Sequence, residues 1–457
     1  MAKIYEEGFS NPALASSLYR RALDLAPGDL WIVGRLIDLY ERTGNTAELV
    51  QMLEQQVQHG GDAKRYAAMR VKIGDLYAKT LGQPQKAAES YRAALERDPT
   101  CLPAHIALAD VYMHDAASAP NAIEAHRQLL RVDPTRVESV HSLFRLWEGL
   151  KQSDKAFCAA GLLRFMHAAN EAEAVYYSSA CNRLENASVE PLSDHQLDTL
   201  LHPSARGPLL EVLLAIGDQL SKQYPADFNA LGIHRRNDRM KADRPILKTI
   251  EAVAQALGVE SFEAYQAPRG SVSVEITDPM SICISEEVES TLPAREQRFL
   301  IGRALFAVRN KTAIAHKLRI ADLAELIAAA ISIFAPNFQL LGPPREELAK
   351  QLARSCSRKA RKALEAAVQG IGAQFTVELD RWVEGLTCSA DRAGLLISGD
   401  TYGALNLVLN EETSSSFERT PLEPIPALRK RPRLEQLVAF VLSDEHFRLR
   451  EQLGIAL

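Results

Sequence analysis

Three acidic residues occupy equivalent positions in a repeated motif of the sequence. Asp38, Asp75 and Asp110 each lie two residues before a tyrosine, in Asp-Leu-Tyr, Asp-Leu-Tyr and Asp-Val-Tyr. Carboxylates at matching positions of stacked repeats would form a row that attracts a Lys- or Arg-containing segment of a partner. The alternative is that they cap or solvate the surface and bind nothing. Arg145 occupies the corresponding position of a looser fourth copy and would limit the row to three.

A second group of residues is basic. Residues 345–362 include seven basic residues and two acids, and Arg354, Arg358, Arg361 and Lys362 fall near one face of a predicted helix. Such a face could follow a phosphate backbone. No aromatic residue interleaves it for base stacking, and exposed helices of acidic proteins commonly carry such charges. Binding to nucleic acid or an acidic membrane is therefore a second alternative and not the leading prediction.

Residues that bind metals or act as nucleophiles are scattered along the chain. No HExxH motif occurs among the eleven histidines, and the six cysteines include no CxxC pair. Zinc sites require ligands at such spacings, so the sequence predicts no metal and no cofactor. Unpaired cysteines and the absence of an apolar signal segment predict a reduced, cytoplasmic protein.

Length and composition describe an ordinary globular protein. The chain has 457 residues, of which 47% are hydrophobic and 24% charged, with a formal net charge of -5. This is enough apolar mass for two or three cores, and no global basic field is present. The longest apolar stretch, residues 323–334, is shorter than the roughly 20 residues of a membrane-spanning helix, and we expect a buried helix there.

The elements that carry the acidic row recur with a period of about 35 residues. The recurring triplets are Tyr19, Ala22 and Pro27, then Tyr91, Ala94 and Pro99, and then His126, Leu129 and Pro134. Each copy has the pattern helix, short turn, helix and proline, with second helices predicted near 46–57, 84–96, 119–131 and 153–166.

This pattern resembles the tetratricopeptide repeat, TPR. The resemblance implies an α-solenoid whose concave groove carries the aspartate row. The first recognisable element, residues 12–25, matches the second helix of a repeat. Either the array is the C-terminal part of a longer one, or its first helix has a different form.

Another kind of structure follows the repeats. Residues 271–276 and 281–285 alternate in character around Asp278-Pro279, which predicts a β-hairpin, and an apolar-periodic helix follows at residues 297–309. This order, together with Thr387-Cys388-Ser389-Ala390-Asp391-Arg392-Ala393-Gly394, resembles the HtpX and CAAX-prenyl-protease-like zinc metallopeptidases.

The resemblance implies a peptidase-like domain that has lost its metal. In that family a helix carries HExxH, and a later helix carries a Glu ligand shortly before an Ala-Asp pair. In this chain Gly302 and Phe306 would replace the two His ligands, Arg303 the general base and Thr387 the Glu ligand. None of these replacements supplies a zinc ligand or a catalytic carboxylate.

These observations predict a mainly α protein. We expect a TPR α-solenoid at 1–170, a connecting segment at 171–205 and a degenerate zincin-like α+β domain with a small β-hairpin or sheet at 206–457. The predicted function is a non-catalytic interaction scaffold whose partner is a protein or peptide segment with basic character, within a larger complex and without a small-molecule substrate. An active peptidase or other hydrolase with an unrecognised site is the first alternative.

Overall fold

The structure is a computed structural model, and it describes residues 1–7, 11–59, 61–184, 189–371, 376, 378–411 and 423–457. Helices account for most of these residues, and the strands form one three-stranded sheet. The mainly α prediction is therefore confirmed. The chain divides into two compact units, Met1–Leu146 and Trp147–Leu457. No helix in the described ranges is both long and apolar enough to cross a membrane.

The first unit consists of consecutive helix pairs. Its helices are α1 (Ala2–Glu7), α2 (Pro12–Leu25), α3 (Leu30–Thr43), α4 (Thr46–Gln58), α5 (Ala63–Lys79), α6 (Pro84–Arg97), α7 (Leu102–Met113), α8 (Ala119–Val132) and the greater part of α9 (Val137–Gly149). The predicted helices near 46–57, 84–96 and 119–131 correspond to α4, α6 and α8. The helix α1, which has 6 residues, precedes α2.

Local sequence accounts for where these helices begin and end. Asp29 and Asp62 cap α3 and α5 by accepting hydrogen bonds from backbone N–H groups of the first turn. Pro84 begins α6, where its missing N–H costs no helical hydrogen bond. Gly44 ends α3 in a left-handed conformation, with φ of 70°.

The helices of one pair approach closely where a glycine faces an aromatic ring. A Cβ atom on Gly74 of α5 would lie 2.4 Å from Cε1 of Tyr91 on α6. Tyr91 is only 1% exposed. The Tyr91 ring therefore occupies the space that a side chain at position 74 would need, and this packing locks α5 against α6.

The second unit contains the remaining helices and the sheet. Its helices are α10 (Ser153–Phe165), α11 (Glu171–Leu184), α12 (Asp194–Thr199), α13 (Pro208–Ile216), α14 (Leu220–Gln223), α15 (Pro245–Ala256), α16 (Glu286–Thr291), α17 (Ala294–Arg309), α18 (Ala313–Lys317), α19 (Ile320–Ser332), α20 (Glu346–Ser355), α21 (Arg358–Gln369), α22 (Leu379–Ser398), α23 (Thr401–Glu411), α24 (Pro424–Leu428), α25 (Pro432–Val441) and α26 (Asp444–Gln452). The apolar stretch at 323–334 falls largely in α19, where Leu323 and residues 326–331 are buried, as expected, while Glu325 is exposed.

The division between the units differs from the boundaries predicted at residues 170 and 205. It falls within α9, so α10 and α11 belong to the second unit. The helix α10 packs against α23 and is joined to α26 by a buried ion pair between Asp154 and Arg450, with Nη2 to Oδ1 at 2.7 Å. Residues 185–188 of the predicted connecting segment lie outside the described ranges.

The sheet confirms the predicted hairpin and adds a strand. β2 (Val272–Glu275) pairs antiparallel with β3 (Ser281–Ser285), and β1 (Glu263–Ala267) pairs parallel with β3. The strand order is β1-β3-β2, which places β2 at an edge. The helix α17 contacts both β2 and α22.

Candidate functional site

The first helices of two consecutive repeats form a groove in the first unit. Asp75 of α5 and Asp110 of α7 both line this groove, which encloses about 570 Å³. Its apolar walls come from Val71, Ala78, Pro84, Pro103, Ile106, Ala107 and Val111, and Tyr91, Lys79 and His114 complete the lining. Val71 and Ile106, like Asp75 and Asp110, are 35 residues apart, so the groove repeats with the period of the array.

The two groove carboxylates differ in how they are held. Asp75 accepts a hydrogen bond of 2.7 Å from the Tyr91 hydroxyl and pairs with Lys79 at 3.0 Å. Burial, and then the Asp75 carboxylate, raise the pKa of Tyr91 above its usual value. Asp110 is exposed, and its carboxylate has no ion-pair or hydrogen-bond partner among the residues that the structure describes. Asp110 is therefore the groove carboxylate that is open to a ligand.

The other two predicted groove residues lie outside this lining. Asp38 is exposed on α3 and lies 3.9 Å from Arg35. Arg145 is exposed on α9 and donates to the Ser142 hydroxyl at 3.3 Å. The structure thus brings Asp75 and Asp110 into one groove, and it shows Asp38 and Arg145 with neighbours on their own helices.

A buried acid that the sequence prediction missed repeats the Asp75–Tyr91 bond. Glu6 of α1 accepts from the Tyr19 hydroxyl at 3.1 Å and pairs with Arg35 at 2.7 Å and with Arg42. Burial alone would raise the pKa of Glu6, but the bonds from Arg35 and Tyr19 outweigh it and hold that pKa below its usual value. Tyr19 and Tyr91 occupy the same position of the repeat, and this match in the sequence could have indicated that Tyr19 also bonds to an acid.

The second unit has a cleft of about 290 Å³ beside the edge of the sheet. Four consecutive residues, 271–274, line it from the side of β2. Because side chains alternate between the faces of a strand, consecutive lining residues indicate that the edge of β2 faces the cleft. The apolar part of the lining comes from Leu300, Ala304, Ala307, Ala313 and Ala390.

Two of the four positions derived from the peptidase resemblance line this cleft. Arg303 and Thr387 face it, together with His316. Gly302 is turned toward α22, because its Cβ would lie 3.0 Å from Cβ of Ile397 and 3.1 Å from Cα of Gly394. Phe306 is 2% exposed and is not part of the lining. The structure therefore does not bring Gly302, Arg303, Phe306 and Thr387 together around one point.

A four-membered charge network closes one end of the cleft. Asp391 forms ion pairs with Arg303 at 3.1 Å and with Arg433 at 2.6 Å. Glu411 pairs with the same two arginines, at 2.8 Å and 2.7 Å. Burial would raise the pKa of Glu411, but the two guanidinium groups hold it below its usual value. Asp391, part of the Ala-Asp pair, thus joins α17, α22 and α25. Sequence reasoning did not find Arg433.

Grouped metal ligands and reactive thiols are two features that a catalytic site in this unit could use. Over the described part of the chain, no three His, Cys, Asp or Glu side chains are grouped as a metal site would require. Burial raises the pKa of Cys283 to about 12 and that of Cys388 to about 11. Both thiols are therefore protonated at neutral pH and are poor nucleophiles.

Comparisons with known proteins leave the family open. No protein-family model matches the chain, and no curated protein matches it. Two crystal structures of MamA are similar over part of the chain. The first is 19% identical and covers 40% of this chain and 93% of its own, with a TM-score of 0.26. The second is 17% identical and covers 41% and 94%, with a TM-score of 0.27. Similarity this low carries no argument about fold or function.

Proposed function

We propose that this protein is a non-catalytic interaction scaffold of the cytoplasm whose TPR-like groove binds a basic segment of a partner protein. The observation that carries the proposal is the groove lined by Asp75 and Asp110. It combines apolar walls with an exposed carboxylate that has no partner among the described residues. Such a surface fits a peptide with a lysine or arginine next to apolar side chains.

The division of labour in the groove follows from its geometry. The apolar walls supply affinity by removing apolar side chains of the peptide from water. Asp110 selects the basic residue and steers its approach, since an exposed pair contributes more to specificity and association rate than to affinity. Asp75 already pairs with Lys79 and accepts a hydrogen bond from Tyr91. It therefore positions the groove wall and adds to the negative potential of the groove, but it does not bind the peptide directly.

The cleft of the second unit is the proposed second docking surface. An edge strand offers backbone N–H and C=O groups to an extended peptide, which could add to β2 as a further strand. Small residues on the opposite wall, Ala304 and Ala307, leave room for the side chains of that peptide. In this proposal the domain is an inactive peptidase-like one that serves only for docking, and Leu300, Arg303, Ala304 and Ala307 of α17 face the peptide.

The groove is tested by selecting peptides from a random display library on the full-length protein. The affinity of the selected peptides is then measured by fluorescence anisotropy for wild type and for the double variant Asp75→Asn/Asp110→Asn. We expect enrichment of Lys- or Arg-containing peptides, a slower association in the variant, and a loss of affinity of about two- to fivefold, about 0.4–1 kcal/mol, as for an exposed ion pair. The matched control is Glu89→Gln/Glu96→Gln, which removes two exposed charges of α6 outside the groove lining.

Selection of peptides without basic residues, or equal losses in both double variants, would contradict the basic-segment proposal. The enzyme alternative is tested on the same preparation by its zinc content and by cleavage of unfolded casein. Near one equivalent of zinc, removed by a chelator together with proteolysis, would replace the scaffold proposal with a peptidase.

A further inference from the structure

The basic segment predicted as one helix at 345–362 forms parts of two helices, α20 and α21, and so carries its exposed basic side chains on both. Arg354, Arg358, Lys359, Arg361 and Lys362 are all exposed. No ion pair joins these five residues to an acid anywhere in the described ranges. The sequence from 348 to 364 contains no Asp or Glu, in a chain whose net charge is -5. We call these five residues the basic patch.

The basic patch is electrostatically unfavourable for the isolated protein. Arg358, Lys359, Arg361 and Lys362 lie in the first two turns of α21, at the positive end of its helix dipole. Arg358 also stands three residues from Arg361 and four from Lys362, spacings at which like charges on a helix repel each other. An anionic partner would remove both penalties.

The surroundings of the basic patch indicate which kind of anion fits. The apolar sides of both helices are already buried through Leu348, Leu352 and Leu364, so neither helix has a free apolar face to insert into a bilayer. The guanidinium of Arg361 lies over the Phe334 ring, 5.7 Å from its centre, and residues 345–362 include no aromatic residue. Base stacking is therefore not offered, whereas unpaired guanidinium groups suit phosphate oxygens.

We propose that the basic patch binds the phosphate backbone of a nucleic-acid duplex without regard to base sequence. The interaction is independent of the peptide groove, because every residue of the basic patch lies in the second unit. Binding to the duplex releases counterions from it, so the affinity falls steeply with salt. With five phosphate contacts, log K falls with log salt at a slope of about -4.5, or about 500-fold in affinity from 50 to 200 mM NaCl.

The test is fluorescence anisotropy of a labelled 24-base-pair DNA duplex with the full-length protein at 50, 100 and 200 mM NaCl. The variant Arg358→Gln/Arg361→Gln/Lys362→Gln should bind more weakly, with a slope of about -1.8, because three contacts are lost. The matched control is Lys241→Gln/Lys248→Gln/Arg269→Gln, which removes the same charge from exposed residues outside the basic patch. Its slope should equal that of wild type.

Three results would overturn the proposal. The first is no binding at 50 mM NaCl with 100 µM protein. The second is an equal loss in the control variant, which would mean that overall charge and not the basic patch decides binding. The third is binding to vesicles with 30% phosphatidylglycerol, lost in the patch variant, without binding to the duplex, which would assign the surface to a lipid headgroup.

Discussion

Replacing Asp154 by Asn should unfold the second unit at a markedly lower urea concentration. The Arg450 side chain is 1% exposed and forms a two-pronged pair with Asp154, Nε to Oδ2 at 2.8 Å and Nη2 to Oδ1 at 2.7 Å. Its remaining hydrogen bonds go to the carbonyls of Gly399 and Ile455, each at 3.2 Å. Asn at position 154 would leave a buried guanidinium without its ion-pair partner, with Asp400 as the remaining carboxylate that acts on it.

The expected loss is about 4 kcal/mol, within the roughly 3–5 kcal/mol that follows removal of one partner from a buried pair. With an m-value of about 3 kcal/mol per molar urea, the midpoint falls by about 1.3 M. The assay is urea unfolding followed by tryptophan fluorescence in a Trp31→Phe background. The two remaining tryptophans, Trp147 and Trp382, both lie in the second unit.

The matched control for this prediction is Asp322→Asn. Asp322 also forms a two-pronged pair with an arginine, Arg319, but the Arg319 side chain is 84% exposed. Water screens such a pair, and we expect no measurable change of the midpoint. A loss below about 1 kcal/mol for Asp154→Asn would refute the reasoning, because the Arg450 guanidinium would then have to be solvated.

Two further predictions concern the first unit. Gly74→Ala should destabilise it by about 1–3 kcal/mol, because the new Cβ would collide with the Tyr91 ring. Gly34→Ala should instead stabilise α3 by about 0.5–1 kcal/mol, because the space around its Cβ is open. Thermal unfolding of the two variants should therefore shift in opposite directions. Burial lowers the pKa of His126 from its usual 6.5 to about 4. Below about pH 6.5 the unfolded chain therefore binds a proton that the folded chain does not. The free energy of unfolding then falls by about 1.4 kcal/mol per pH unit down to about pH 4. The variant His126→Phe also removes two buried ring nitrogens that have no hydrogen-bond partner among the described residues. Its urea unfolding should lose this part of the pH dependence, and an unchanged profile would contradict a buried neutral histidine.

Much of the first unit could be predicted from sequence because its contacts are local. A period of 35 residues and the prolines that end second helices place α4, α6 and α8 to within about one residue. The Asp75–Tyr91 bond joins residues 16 apart, within one repeat. What periodicity could not show is that this bond already occupies Asp75, which leaves Asp110 as the open carboxylate of the groove.

The second unit was harder to predict because its decisive contacts join distant parts of the chain. The pair Asp154–Arg450 spans 296 residues, and Arg433–Asp391 spans 42. No local pattern marks an arginine that will be buried. The strand β1 was missed for a similar reason: its partner β3 is buried along its whole length, and a parallel pairing leaves no turn signal between the two strands.

Packing explains two glycines, Gly302 and Gly394, that lie in the segments on which the peptidase resemblance rests. Gly302 of α17 faces Gly394 of α22, and a Cβ on Gly394 would lie 2.6 Å from the Phe299 carbonyl oxygen. Glycines are needed wherever two helix backbones approach this closely, with or without a metal. Gly394→Ala should therefore destabilise the second unit by about 1–3 kcal/mol in the tryptophan assay, despite the better helix propensity of alanine. If the variant is instead neutral or more stable, the helices are not held this close, and packing would no longer explain the motif.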